Sequence, residues 1–203
     1  TIQRLSWQQV KEPPPLISKR LGGLVTAVAE LQDKRLVMIM DVEKVLADTG
    51  DFYDENAFEG IEKIENGKQY KVLYADDSNV ARKQIVQTMD KLGVSHVGVI
   101  NGAQAWKMLD KLATQCEQEK RNITTEIQVV LTDVEMPEMD GYVLTQKIKA
   151  DPRMAHLPVI MHSSLTAVEN QAMGRGVGSD AYVSKFQPRE LATTIRGFIE
   201  NKA

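Results

Sequence analysis

The chain has 203 residues, enough for one or two domains, and a formal net charge of −3 with its lysines and arginines scattered rather than striped. That balance leaves no basic footprint for nucleic acid, and a single cysteine, Cys116, excludes an internal disulfide and a cysteine-based metal cage. No apolar run approaches the ~18 residues that cross a bilayer and no signal peptide is visible, so a soluble cytoplasmic protein without direct membrane insertion is expected.

Residues 1–49 read as β-rich and then briefly helical. Pro13-Pro14-Pro15 suits an extended spacer, because each ring fixes φ and removes a backbone donor. Leu24–Glu30 has strand composition, and Leu36–Met40 pairs with it across Gln32–Arg35. Asp41 then suits the cap of a short helix, Val42–Ala47, since its carboxylate can accept from first-turn amides. Two strands and a turn of helix cannot bury a core. The chain opens inside what reads as an element already under way, so a piece of a longer protein is expected.

Between Asp48 and Gln69 seven acids (Asp48, Asp51, Asp54, Glu55, Glu59, Glu62, Glu65) face only Lys63 and Lys68. Such a run reads as a solvated connector. Phe58, Ile61 and Ile64 nevertheless suit a short helix docking weakly on a neighbour.

From Tyr70 onward strands and helices alternate. The expected strands are Lys71–Ala75, Val97–Ile100, Gln128–Thr132, Val159–His162 and Ala181–Ser184. The expected helices are Val80–Leu92, Ala103–Lys120, Tyr142–Ala150, Ala167–Met173 and Pro188–Asn201, the last marked by proline at its first position. Short apolar strands interleaved with amphipathic helices argue a parallel sheet covered on both faces. Right-handed crossovers make it a five-stranded, doubly wound α/β sheet.

The strand ends carry the chemistry. The first finishes in Asp76-Asp77 and the third in Asp133, followed at once by Val134-Glu135-Met136-Pro137-Glu138-Met139-Asp140-Gly141. The fourth finishes in Ser163 and the fifth in Lys185. Singly, each has a plain reading: Asp77 as a helix cap, Ser163 as a strand-end hydrogen bonder, Lys185 as a solvated amine, Tyr182 as a half-buried strand aromatic. Asp140-Gly141 is first a turn, with Gly141 permitting positive φ. His162 reads as a packed or satisfied histidine, and Cys116 as an inert thiol in a helix. Taken together, an acid pair, an acid, a hydroxyl and an amine, in that order on four independent strand ends, defeat the plain readings.

That ordered set resembles the response-regulator receiver family over roughly Gln69 to Ala203. The resemblance implies a flavodoxin-like sheet of order 2-1-3-4-5, which brings Asp76, Asp77 and Asp133 together at the switch point where such sheets collect ligands. Carboxylates so close repel unless a cation joins them, and Mg²⁺ suits their oxygens. Its expected ligands are Asp77, Asp133 and the Glu135 backbone carbonyl, with Asp76 acting partly through water. The implied chemistry is phosphoryl transfer onto Asp133, with Lys185 as a point charge for the phosphoryl oxygens. Ser163 would donate its hydroxyl to the phosphoryl group, drawing its loop inward while Tyr182 moves into the space.

Most receivers place proline directly after the lysine, joined by a cis bond; here Phe186-Gln187-Pro188 follows, so a trans peptide is expected, with Lys185 held by Phe186 packing. The Lys185-Phe186 pair, His162-Ser163-Ser164-Leu165 and the long second helix are similar to the CheV-type chemotaxis coupling proteins. Residues 1–49 resemble the end of their CheW-like adaptor domain, leaving 50–69 as an acidic linker and 70–203 as the receiver. The resemblance implies a histidine kinase and chemoreceptors as partners, at membrane-associated arrays, with modulation of receptor–kinase coupling or a phosphate sink as the output. A transcriptional output is not expected, since the additional segment precedes the receiver. The competing enzyme reading is a metal-dependent aspartyl-phosphate phosphohydrolase. It would need Asp-x-Asp where the chain has Asp133-Val134-Glu135.

Overall fold

The computed structural model describes residues 9–20, 24–31, 34–40, 45, 55–164 and 168–200. The chain divides into two compact units, Thr1–Tyr53 and Asp54–Ala203.

In the first unit three strands, β1 (Val10–Lys11), β2 (Val25–Glu30) and β3 (Leu36–Met40), form an antiparallel sheet in chain order. The expected pairing of the two longer strands runs from Glu30↔Leu36 to Val25↔Met40, with an irregularity at Val25/Ala27. Val25, Val28 and Ala29 are buried, whereas every residue of β3 is exposed. The proline run departs from its extended expectation. Pro15 opens a short helix, α1 (Pro15–Arg20), because a first-turn N–H has no helical partner to lose. Of the expected helix Val42–Ala47 only Val45 is among the described residues, and it is helical; its expected cap Asp41 lies outside them.

The second unit is a five-stranded parallel sheet of order β5-β4-β6-β7-β8. Its strands are β4 (Lys71–Ala75), β5 (Ser95–Val99), β6 (Val129–Thr132), β7 (Val159–Ser163) and β8 (Ala181–Ser184). Between and after them lie α2 (Asn79–Leu92), α3 (Gly102–Gln118), α4 (Gly141–Ala150), α5 (Val168–Gly176) and α6 (Pro188–Glu200). This is the flavodoxin-like order 2-1-3-4-5. The alternating side chains of each strand fill two cores. Val72, Tyr74, Leu131 and Ile160 pack against Ile85, Met89, Leu191 and Ile195 on one face. Leu73, Ala75, Val130 and Val159 pack against Leu109, Leu144 and Ile148 on the other. Burial on both faces is what makes the central strands β4, β6 and β7 predominantly apolar.

Strand β5 starts two residues earlier than its apolar content suggests. Ser95 donates its N–H to Tyr70 O at 2.9 Å and pairs with Lys71, so the ladder captures polar residues at this sheet edge.

The acidic stretch from residue 55 holds two 3-10 turns, Glu55–Phe58 and Gly67–Gln69. Glu59, Glu62 and Glu65 face solvent, yet Phe58 and Ile64 are buried, Ile64 within the first core. Ile64 donates its N–H to Leu92 O at 2.9 Å. From α6, Arg189 donates to Asn56 O at 2.6 Å and Arg196 donates to Glu62 O. The expected short helix through Phe58, Ile61 and Ile64 does not form: Phe58 ends a 3-10 turn, and Ile61–Ile64 has no regular structure although Ile64 docks into the core.

Candidate functional site

Strands β4 and β6 are neighbours, paired up to Ala75↔Thr132, so the next residues of each, Asp76 and Asp133, emerge side by side at the carboxyl edge. The backbone fixes both: Asp133 donates its N–H to Ala75 O at 2.8 Å, and Asp76 donates to Val99 O at 3.2 Å. One side-chain oxygen from each of Asp76, Asp77 and Asp133 lies within 4.8 Å of the others. Asp76 and Asp133 are buried and Asp77 is exposed. Among the described residues this is the only such grouping of acids, histidines and cysteines.

Lys185, at the end of β8, reaches into this cluster. Its Nζ lies 2.9 Å from Asp133 Oδ2 and 3.3 Å from Asp76 Oδ2, and its side chain is only 2% exposed. Asp133 Oδ1 accepts from the Val134 N–H at 2.7 Å, and Asp76 Oδ1 accepts from the Ser78 N–H at 2.9 Å. Capping of α2 falls to Ser78, whose hydroxyl accepts from the Ala81 N–H at 3.3 Å, so Asp77 is not needed there. One ammonium faces three carboxylates, and the surplus negative charge is costly at the buried positions. Hard oxygen donors gathered this closely fit a hard divalent cation.

Ser163 closes β7, is buried, and pairs with Ser184; its carbonyl accepts from the Lys185 N–H at 2.9 Å. Tyr182 is half-buried on β8 opposite Met161. Glu135 lies two residues beyond Asp133 with its side chain exposed. Thus Asp76, Asp77, Asp133 and Lys185 are gathered together, with Tyr182 on the strand that Lys185 ends and Ser163 on the neighbouring strand β7.

Three features were not foreseen. Arg82 donates to the Asp76 carbonyl at 2.8 Å, and only its place in the first turns of α2 could have flagged it. Asp140 is the cap of α4, its carboxylate accepting from the Val143 N–H at 2.7 Å. Gly141 is not in the left-handed region, contrary to the turn reading. It is required instead by close approach, since a Cβ there would lie 2.0 Å from the Asp133 carbonyl oxygen.

His162 is packed as expected, but its buried Nδ1 has no hydrogen-bond partner. Burial, and secondarily the nearby Lys185 charge, push its pKa down to about 3. Between that value and the ordinary ~6.5 the unfolded chain binds a proton that the folded chain refuses. The corresponding stability is therefore complete above pH 6.5 and lost as pH falls, at about 1.4 kcal/mol per pH unit. Urea unfolding at pH 6.5 and pH 5 should differ by about 2 kcal/mol from this source, and His162→Leu should remove that part of the slope. Equal slopes in both proteins would place the acid sensitivity elsewhere.

Among known proteins, the family model described as "Response regulator receiver domain" matches residues 72–196. Chemotaxis protein CheV1 of Helicobacter pylori is 31% identical over 197 residues, covering 96% of this chain and 58% of that protein. Chemotaxis protein CheV3 of the same organism is 28% identical over 203 residues, covering 100% of this chain and 64% of that protein. The chain thus spans roughly three fifths of the length of these curated relatives. A solved receiver domain, that of the histidine kinase CKI1 from Arabidopsis thaliana complexed with Mg²⁺ and BeF₃⁻, is similar at 27% identity with a TM-score of 0.59. The likeness covers 67% of this chain and 93% of that one. Among the described residues no helix is long and apolar enough to cross a membrane.

Proposed function

The chain belongs to the response-regulator receiver domain family, as a CheV-type receiver region with a chemotaxis response-regulator function, and on that footing we propose that Asp133 accepts a phosphoryl group from a histidine kinase. The observation that carries the reading is Lys185 Nζ, 2.9 Å from Asp133 Oδ2, beside acidic oxygens of Asp76 and Asp77 within 4.8 Å.

An Asp133 carboxylate oxygen forms a bond to phosphorus as the phosphorus–nitrogen bond of the donor phosphohistidine breaks. The electron pair returns to the imidazole, which takes up a proton from solvent. Asp76, Asp77, Asp133 and the Glu135 carbonyl would hold Mg²⁺, which when bound offsets the charge of the phosphoryl oxygens. The Val134 N–H holds one Asp133 oxygen and so orients the other. Lys185 passes from the carboxylate to a phosphoryl oxygen and remains a point charge there. Ser163 donates its hydroxyl to the same group, and Tyr182 moves as the following loop draws inward. The free energy of these new contacts biases a two-state element.

Residues 1–49 belong, in this reading, to the end of a CheW-like adaptor, residues 50–69 connect it, and residues 70–203 form the receiver. The partners are a chemotaxis kinase and chemoreceptors at membrane-associated arrays. Phosphorylation then modulates receptor–kinase coupling, or drains phosphate from the kinase.

Incubation with acetyl phosphate and Mg²⁺ tests the chemistry. One phosphoryl group per chain, absent when a chelator removes the metal, is the expected result. Absence of label from acetyl phosphate and from the phosphorylated kinase would overturn it, as would steady turnover of many phosphate esters, the mark of a phosphohydrolase.

A further inference from the structure

The passage from β8 into α6 is confined to one residue. Lys185 donates its N–H to Ser163 O at 2.9 Å, so its backbone still belongs to the sheet. Gln187 O accepts from the Leu191 N–H at 3.0 Å, so Gln187 already belongs to the helix start. Phe186 alone stands between them, and its φ is 66°. That left-handed conformation is unfavourable for any residue with a Cβ and worse for a bulky one, and it persists only where surrounding structure holds it. Among the described residues Lys34, Asn66, Lys120 and Glu138 also have positive φ, but Phe186 alone of them is aromatic and adjoins Lys185.

Resting on the phosphoryl-transfer reading, we propose that Phe186 is a positioning residue whose left-handed backbone aims Lys185 between Asp133 and Asp76. The helix side of this link is anchored. Leu191, Ile195 and Ile199 are buried, and Arg189 holds Asn56 O at 2.6 Å. On the sheet side β8 is the edge strand, paired only with β7, and Lys185 lies one residue beyond its last pair, Ser163↔Ser184. A change of φ at Phe186 is therefore absorbed on the sheet side, and the ammonium leaves the carboxylates it meets at 2.9 and 3.3 Å. In this proposal the backbone conformation at Phe186, rather than packing of its ring, sets the aim of Lys185.

Two substitutions in the full chain separate backbone from ring. Phe186→Gly allows the left-handed conformation and removes the ring, whereas Phe186→Val disfavours the conformation. The first readout is the nuclear magnetic resonance signal of the Lys185 ammonium, whose protons are shielded from exchange between two carboxylates. It should survive in Phe186→Gly and be lost or shifted in Phe186→Val. The second is the rate of labelling at saturating acetyl phosphate with Mg²⁺. Phe186→Gly should keep most of it, and Phe186→Val should lose about tenfold or more without loss of Mg²⁺ affinity. Loss of the ammonium signal in Phe186→Gly would overturn the proposal and assign the role to the ring. An unchanged signal in Phe186→Val would also overturn it. Should the unsubstituted chain take no label, the phosphoryl-transfer reading fails by itself, while the ammonium signal still decides the positioning.

Discussion

Asp133→Asn should take no phosphoryl label from acetyl phosphate or from a phosphorylated kinase, measured by intact-protein mass after incubation with Mg²⁺. An amide oxygen carries no full negative charge with which to attack phosphorus, and the remaining acids are not equivalent. Asp76 is buried with Oδ1 held by the Ser78 N–H and Oδ2 facing Lys185, whereas Asp77 is exposed. Asp133 has one oxygen fixed by the Val134 N–H and the other hydrogen-bonded to the ammonium at 2.9 Å, closer than Asp76 Oδ2 at 3.3 Å. The same change also removes one of three anionic ligands, so Mg²⁺ affinity should fall by about tenfold or more. Asp77→Asn separates the two losses. It should weaken Mg²⁺ to a similar extent but still take label when the ion is raised. If Asp133→Asn is labelled as fully as the unsubstituted chain, the acceptor lies elsewhere. If its Mg²⁺ affinity is unchanged, the three-carboxylate cluster is not the metal site.

Much of this arrangement was legible in the sequence because it depends on order along the chain. Apolar runs ending in Asp76-Asp77, Asp133, Ser163 and Lys185 specify four strand ends, and the flavodoxin-like order implied by the family resemblance places the first beside the third. Pairing of Ala75 with Thr132 is the structural expression of that order. What was not legible depends on backbone conformation and close approach. Phe186 has no residue-type signature of positive φ, since aromatic residues rarely adopt it. Pro15 reads equally well as spacer or helix opener until the residues after it are seen in a helix. In the acidic stretch, net charge suggests full solvation, whereas Phe58 and Ile64 are buried, held by a 3-10 turn and irregular backbone rather than by the short helix expected there. Composition reports the average environment of a segment, and packing is decided residue by residue.

Gly141→Ala should destabilise the protein and damage the site together, although it replaces glycine by the best helix former. In an unobstructed helix the change is favourable by up to about 1 kcal/mol, because glycine gives up more backbone freedom on folding. Gly197 in α6 meets that condition, with nothing within 4 Å of a built Cβ, so Gly197→Ala should be neutral or stabilising. Gly141 does not. Its Cβ would sit 2.0 Å from the Asp133 carbonyl oxygen and 3.2 Å from Thr132 Oγ1. The obstacle is backbone, already engaged by the Thr132 hydroxyl at 2.9 Å, so no side-chain rotation can relieve it. Either the first turn of α4 or the end of β6 must retreat, at a cost of about 2–3 kcal/mol. Retreat of α4 also strains the Gly141 N–H bond to Val134 O and the Thr145 hydroxyl bond to Gly141 O. Retreat of β6 carries the Asp133 carboxylate away from Lys185, and a displacement of an ångström there should slow labelling by about a hundredfold. Urea unfolding of the two glycine variants, with labelling rates on the same samples, checks both parts. Opposite signs for Gly197→Ala and Gly141→Ala are the expected result; matching small effects would mean that Asp133 is not wedged against this helix start.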